Sequence, residues 1–234
     1  MKYKIVFIYA LILGSYLNVL GTRSFSKSEE NYLRSYCDQC KRTLTPLELI
    51  PVLSFIIQRG RCKGCREKIS IIYPVMELFT GFVLTYLFWI YGWSQEFGFY
   101  STLIILFIIL TVSDIFYYKI SNRLLFMFTP ILLILSPLSL RAILIGVGVQ
   151  LLIFLIAIFV FPSSIGMGDV KLFLLLGAVT GYHVSLWVLC LSSIFGILYF
   201  ILFKPQRIPF VPFILSGLII VQLMGVVIEL NIFS

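Results

Sequence analysis

The sequence predicts an all-α, polytopic membrane protein of about eight transmembrane helices, with a cysteine-bearing cytoplasmic loop between the first two. Three observations carry this. The 234 residues are 60% hydrophobic and only 12% charged, with a mean hydropathy of +1.06, beyond what a soluble core buries. Apolar runs recur near 5–20, 71–91, 98–113, 124–140, 142–161, 184–203 and 209–228, with a shorter one near 170–182; runs of about 17–25 residues can span a bilayer. The cationic residues are also clustered, ten of eighteen lying in 21–70.

In chain order, the first run follows Lys2 and Lys4, a pattern shared with secretory signals. No small-x-small cleavage site follows in "LNVLGTR", so the run is read as a span. The loop 21–70 holds Arg23, Lys27, Arg34, Lys41, Arg42, Arg59, Arg61, Lys63, Arg66 and Lys68. Basic loops stay cytoplasmic, which sets the N-terminus outside. Eight spans then keep Lys119, Arg123, Lys171, Lys204 and Arg207 inside, leaving Lys2, Lys4 and Arg141 outside. Omitting the run at 170–182 would move Lys204 and Arg207 outside, so it is retained. The expected organisation is a first helix at 1–20, a cytoplasmic loop at 21–70 and a helical bundle at 71–234.

The net charge of +8 follows from this bias. The basic residues are not interleaved with an aromatic stacking platform, so nucleic acid is not an expected partner. Membrane lipid is, and the 22 Phe and 13 Tyr suit lipid-facing and interfacial positions.

Four of the five cysteines form two CxxC pairs, Cys37 with Cys40 and Cys62 with Cys65, separated by 21 residues. That spacing suits a four-thiolate zinc site, closed and therefore structural. The metal would supply folding energy that so small a loop lacks, and Lys41, Arg42, Lys63 and Arg66 favour thiolates. Two disulfides or a redox-active pair are the competing readings, and stable disulfides are disfavoured in the cytoplasm. The intervening "TPLELIPVLSFIIQRGRC" contains Pro46 and Pro51 and reads as interfacial rather than spanning. Cys190, inside an apolar run, is expected to be a small core residue.

Ionisable groups in or at the rim of spans are costly and mark candidate sites. Glu77, Asp114 and Asp169 stand out. Asp114 closes the third span and Asp169 opens the sixth, which places both at the cytoplasmic rim although 55 residues apart. Gly166 and Gly168 are expected to let the backbone turn and approach another segment closely. Asp169 would sit in a first helical turn, where the dipole favours a carboxylate. Each aspartate alone reads equally well as a water-facing helix end. Together they suit an aspartic protease, in which one carboxyl keeps a proton while the other activates water. The one histidine, His183, falls on the opposite side and is read as a surface-loop residue, so Ser–His or Cys–His chemistry is not expected.

The ordered set of motifs resembles the bacterial prepilin peptidases (type IV leader peptidases), within the GxGD intramembrane aspartic proteases. "LGSYLNVLGTR" is similar to the family's first-span ending, the paired CxxC to its zinc loop, and "RGRCKGCREKISIIYPVMELFTG" to its entry into the second span. "LTVSD" and "GMGDVKL" match the two aspartate motifs. The resemblance implies cleavage of type IV prepilin or pseudopilin precursors after the glycine ending a short basic leader, at the cytoplasmic face of the bacterial plasma membrane. Asp114 and Asp169 would be catalytic, supported by Gly166, Gly168, Lys171 and Glu77. Many such enzymes also methylate the new α-amine with S-adenosylmethionine, and Glu77 matches a glutamate associated with that step. Glu77 reads as well as a structural carboxylate paired with a loop arginine. Ser113, "KISN" and Val211 depart from the family pattern of Ile, Ile-Pro-Asn and Gly; they bear on the start of the fourth span and on packing near Val211. A proton-relaying transporter or a non-catalytic scaffold are the competing functional classes.

Overall fold

The computed structural model describes residues 1–25, 35–37, 39–160 and 166–232, with side chains as far as 225. The described chain is helical apart from two isolated β-bridges in the loop. Its elements are α1 (Lys2–Arg23), a 3-10 turn (Pro46–Leu49), α2 (Leu53–Ile57), α3 (Ile72–Tyr91), α4 (Gln95–Tyr117), α5 (Asn122–Leu135), α6 (Leu140–Val160), α7 (Met167–Phe203) and α8 (Val211–Ile232). Helices α1, α3, α4, α6 and α7 are long and apolar enough to cross a membrane; Asn122–Leu135 and Val211–Gly225 are shorter apolar helices.

Helix α7 is two helices joined at Gly181, whose φ of 79° and ψ of 170° are non-helical and open only to glycine at little cost. The runs at 170–182 and 184–203 are therefore halves of one broken helix. With that break the described chain holds the eight apolar rods expected, α2 aside. Helix α5 stops at Leu135 rather than continuing to 140, because Ser136 precedes Pro137 and a residue before proline avoids the helical region; its ψ is 131°. Ser136 Oγ instead donates to the Val179 carbonyl at 3.0 Å, just before the break in α7.

Large apolar side chains such as Trp89, Phe126, Ile134, Phe159, Trp187 and Leu202 point outward. A water-soluble protein would not leave so many exposed, whereas a bilayer solvates them. The protein is a multi-pass membrane protein.

Two compact units divide the chain, Met1–Val112 and Ser113–Ser234. In the first, α1 packs along α3 through small residues that let the backbones approach. A Cβ at Gly14 would stand 3.0 Å from Thr80 Cβ, and one at Gly81 would stand 2.9 Å from the Phe7 ring. In the second, α7 packs on α6 and α8. Gly146 and Gly177 touch backbone to backbone there, and an added Cβ at either would collide with the other's carbonyl oxygen. Phe173, Leu172, Leu176 and Ile214 fill the core beside them.

Two expectations need correction. Cys190 is exposed rather than a core residue; its helix is apolar all round, so no periodicity marks an inner face. His183 is exposed, but it lies within the second half of α7, immediately beyond Gly181, and not in a loop.

Candidate active site and metal centre

Asp114 sits on the last turn of α4, which continues to Tyr117, and is 7% exposed. Its Oδ2 accepts the backbone amide of Val211 at 3.0 Å, and the Phe210 amide bonds the same carboxylate. These amides begin α8, where N–H groups have no partner within the helix. The positive end of α8 is thus aimed at Asp114, a favourable setting for a carboxylate. Val211, the departure from the family pattern, is itself fully buried, so the side chain is packed and its amide is put to use.

Asp169 stands in the first turn of α7, as expected, with Gly166 as the residue before the helix. Its amide donates to Gly166 O at 3.0 Å. The carboxylate is half-buried and lies within electrostatic reach of Asp114. The structure therefore brings together, in the second unit, the two aspartates separated by 55 residues. Neither Gly166 nor Gly168 has a positive φ, so the turn closed by the Asp169 amide on Gly166 O uses a backbone conformation open to any residue. Their smallness counts instead. A Cβ on Gly168 would meet Ile120 Cδ1 at 2.7 Å, and one on Gly166 would lie 3.0 Å from Asp169's own Oδ2. Lys171 Nζ donates to Asn122 Oδ1 at 3.0 Å, fastening the start of α5 to the start of α7. Ser121, where the family proline is missing, precedes α5 without capping it through its side chain. Ser113 Oγ donates to the Lys119 carbonyl at 3.1 Å, closing the turn between α4 and α5.

Glu77 lies in the first unit. It is 8% exposed, and its Oε2 accepts the Val52 amide at 2.7 Å; Ser15 also hydrogen-bonds it. Of the loop arginines, Arg42 is engaged elsewhere, in a two-pronged pair with Glu48 at 2.7 and 3.2 Å.

The four loop cysteines converge, all sulfurs lying within 4.8 Å of one another. Each pair forms the same knuckle. Cys37 N donates to Arg42 O and Lys41 N returns to Cys37 O, both at 2.9 Å; Cys62 N donates to Glu67 O at 2.9 Å and Arg66 N to Cys62 O at 3.0 Å. Lys41 and Arg66, the residues after each second cysteine, share a positive φ of 56° and 63°. Cys37 Sγ lies 3.8 Å from Cys65 Sγ, and Cys40 Sγ lies 4.0 Å from Cys62 Sγ. A tetrahedral ion with metal–sulfur bonds of about 2.3 Å needs sulfur–sulfur edges of about 3.8 Å, whereas a disulfide needs about 2.0 Å. The cluster fits a metal ion. Backbone amides of Cys65 and Gly64 help hold the Cys62 thiol down at about 6, while burial pushes Cys37 up to about 11.

Glu48, buried against Arg42, also accepts from the Thr45 amide at 2.8 Å and the Thr45 hydroxyl at 3.0 Å. This capping box starts the 3-10 turn. Sequence reasoning passes over it, although T-x-x-E before an apolar stretch is its signal. It also passes over the Val211 amide, to which no residue type points, and over Asn18, a polar residue inside an apolar run.

Two family profiles match the chain: "Bacterial Peptidase A24 N-terminal domain" over residues 8–91 and "Type IV leader peptidase family" over residues 101–201. The chain is 38% identical over 233 residues to the "Prepilin leader peptidase/N-methyltransferase" of Bacillus subtilis (strain 168), covering 95% of this chain and 94% of that protein. It is 28% identical to the protein of the same name from Vibrio cholerae, over 84% of this chain and 85% of the relative. It is 29% identical to the "Type 4 prepilin-like proteins leader peptide-processing enzyme" of Escherichia coli O78:H11, over 88% of each. No solved structure matches significantly. With homology running end to end and both aspartates gathered at one helix-lined site, the chain belongs to the type IV leader peptidase family.

Proposed function

We propose that this protein cleaves the leader peptide from type IV prepilin-like precursors and methylates the N-terminus so released. Family membership supports the activity. The observation that carries the chemistry is the proximity of Asp114 and Asp169, two carboxylates at helix ends whose charges interact. Two interacting carboxylates share one proton, because ionising the second against the charge of the first is costly. The ionised member takes a proton from the attacking water as its oxygen bonds to the scissile carbonyl carbon. The protonated member gives its proton to the carbonyl oxygen, and return of a proton to the departing nitrogen releases the two products. Asp114, held by two α8 amides, suits the ionised role; Asp169 then carries the proton.

Zinc is the ion we assign to Cys37, Cys40, Cys62 and Cys65, as a closed structural site. S-adenosylmethionine supplies the methyl group when bound, and Glu77 serves that step. The basic loop and the aspartate pair face the cytoplasm, by the charge asymmetry of the sequence. The division into a first helix, a zinc loop and a catalytic bundle at 71–234 follows from the same reading. Purified protein incubated with a pilin-like precursor should release the leader, and a precursor that stays intact while the protein remains folded overturns the assignment. Transport and scaffolding leave the family membership unexplained.

A further inference from the structure

Three costly features of the first unit meet at one seam, and peptide hydrolysis needs none of them. Glu77 is a buried carboxylate in a spanning helix, bonded to Ser15 and to the Val52 amide. Val52 has φ 61° and ψ −51°, a backbone state that β-branched residues avoid. Around it Leu53 N donates to Pro51 O at 2.6 Å, closing a γ-turn of the rarer, strained sign. Asn18 is 3% exposed; its Nδ2 donates to the Tyr73 carbonyl at 3.1 Å, while its Oδ1 is buried and meets no donor among the described residues. A buried, unsatisfied polar atom calls for an explanation, and strained backbone concentrates where function requires it.

The three share one framework. Ser15 and Asn18 lie a turn apart on α1, and Tyr73 and Glu77 a turn apart on α3. Ser15–Glu77 and Asn18–Tyr73 are therefore successive rungs between antiparallel helices. Gly14 brings the rungs together, since a Cβ there would stand 3.1 Å from Glu77 Cα.

Counting donors and acceptors identifies the ligand class. Of the seam's donors, the Ser15 hydroxyl and the Val52 amide are spent on Glu77, and Asn18 Nδ2 is spent on the Tyr73 carbonyl. Its surplus is in acceptors, namely Asn18 Oδ1 and the remaining capacity of the Glu77 carboxylate. Such a site lacks an N–H donor, best a positive one. We infer that Asn18 and Glu77 bind the primary α-amine of a processed polypeptide, which displaces the Val52 amide from Glu77. The strain at Val52 makes that displacement easier, because the turn relaxes once its amide is released. One N–H proton then passes from the ammonium to the Glu77 carboxylate, leaving a neutral amine with a free lone pair and a carboxylic acid. This rests on the methyl-transfer half of the proposed function and assigns that step to the first unit.

The test uses full-length protein with two synthetic peptides of identical apolar sequence, one with a free α-amine and its N-acetylated twin. Wild-type protein should bind the free amine at least tenfold more tightly. Asn18→Leu should abolish that preference and cut methyl incorporation at least tenfold, with leader release from a precursor within twofold of wild type. Asn18→Asp keeps an acceptor at the position and should retain the preference, which separates lost chemistry from lost fold. Equal binding of the two peptides by wild-type protein overturns the inference, with no variant needed. Normal methylation by a folded Asn18→Leu protein overturns it too. Either result leaves the peptidase reading untouched, since that reading fails only if leader release itself is absent.

Discussion

Asp114 Oδ2 accepts the amide hydrogen of Val211 at 3.0 Å, a bond that spans 97 residues of sequence and joins the end of α4 to the start of α8. A side-chain amide can accept the same bond through its oxygen, so Asp114→Asn should fold while losing the charge. Leader release should fall by about 10³-fold or more in Asp114→Asn and in Asp169→Asn, and the double variant should be scarcely worse, because the two act as a unit. A folded Asp114→Asn protein that cleaves near the wild-type rate removes the aspartates from the mechanism. The pH–rate profile of the native protein should be bell-shaped and belong to the pair jointly.

Gly168 offers a finer probe of the same site. The atom that an added Cβ meets is Ile120 Cδ1, the tip of a flexible side chain. Gly168→Ala should therefore impair cleavage severalfold, and Ile120→Ala in the same protein should recover most of it. Failure of the rescue would mean that the space beside Gly168 belongs to the substrate and not to Ile120. Precursor cleavage rates on the two single variants and the double variant decide this.

The α6–α7 crossing should be intolerant of any side chain. Gly146→Val or Gly177→Val forces a Cβ into the facing backbone, which cannot yield as a side-chain tip can. Overpacking of this kind typically costs about 1–3 kcal/mol and sometimes more. Thermal unfolding of detergent-solubilised protein should show a lowered midpoint, whereas Gly148→Ala, with open space around it, should leave the midpoint unchanged.

Metal analysis should find about one zinc per chain, since four thiolates fill one tetrahedral site. Cys62→Ser should lower zinc content and expose 35–70 to protease. Protein purified without metal yet with a protease-resistant loop would rule out a structural zinc.

Glu48 gives the loop a defined acid limit. Arg42 above all holds its carboxyl down at about 2, from a usual 4.5. A depressed folded-state value means that the stabilisation is complete above about 4.5 and lost as the pH falls toward 2. Hydrogen exchange across 42–50 should be faster in Glu48→Gln than in native protein at neutral pH. The gap should close between about pH 4.5 and 2. A gap that persists at pH 2 would mean that the charge of Glu48 is irrelevant.

Much of this protein is determined by its sequence alone. Apolar length, the clustering of Lys and Arg, the CxxC spacing and two isolated aspartates are local features. A bilayer narrows how each can be read, because backbone groups must pair within a helix and charges must find a reason to stay. Tertiary structure decided what local features could not. Helices apolar on all sides carry no inward stripe, so nothing in the sequence placed Cys190 on the outer face or showed α7 as one helix broken at Gly181. Backbone amides have no residue code, so the Val211 amide on Asp114 and the Val52 amide on Glu77 emerge only when distant segments meet. The glycines beside Asp169 were legible as small but not as to surroundings: their φ values are ordinary, and the side chain that an added Cβ at Gly168 would meet is Ile120.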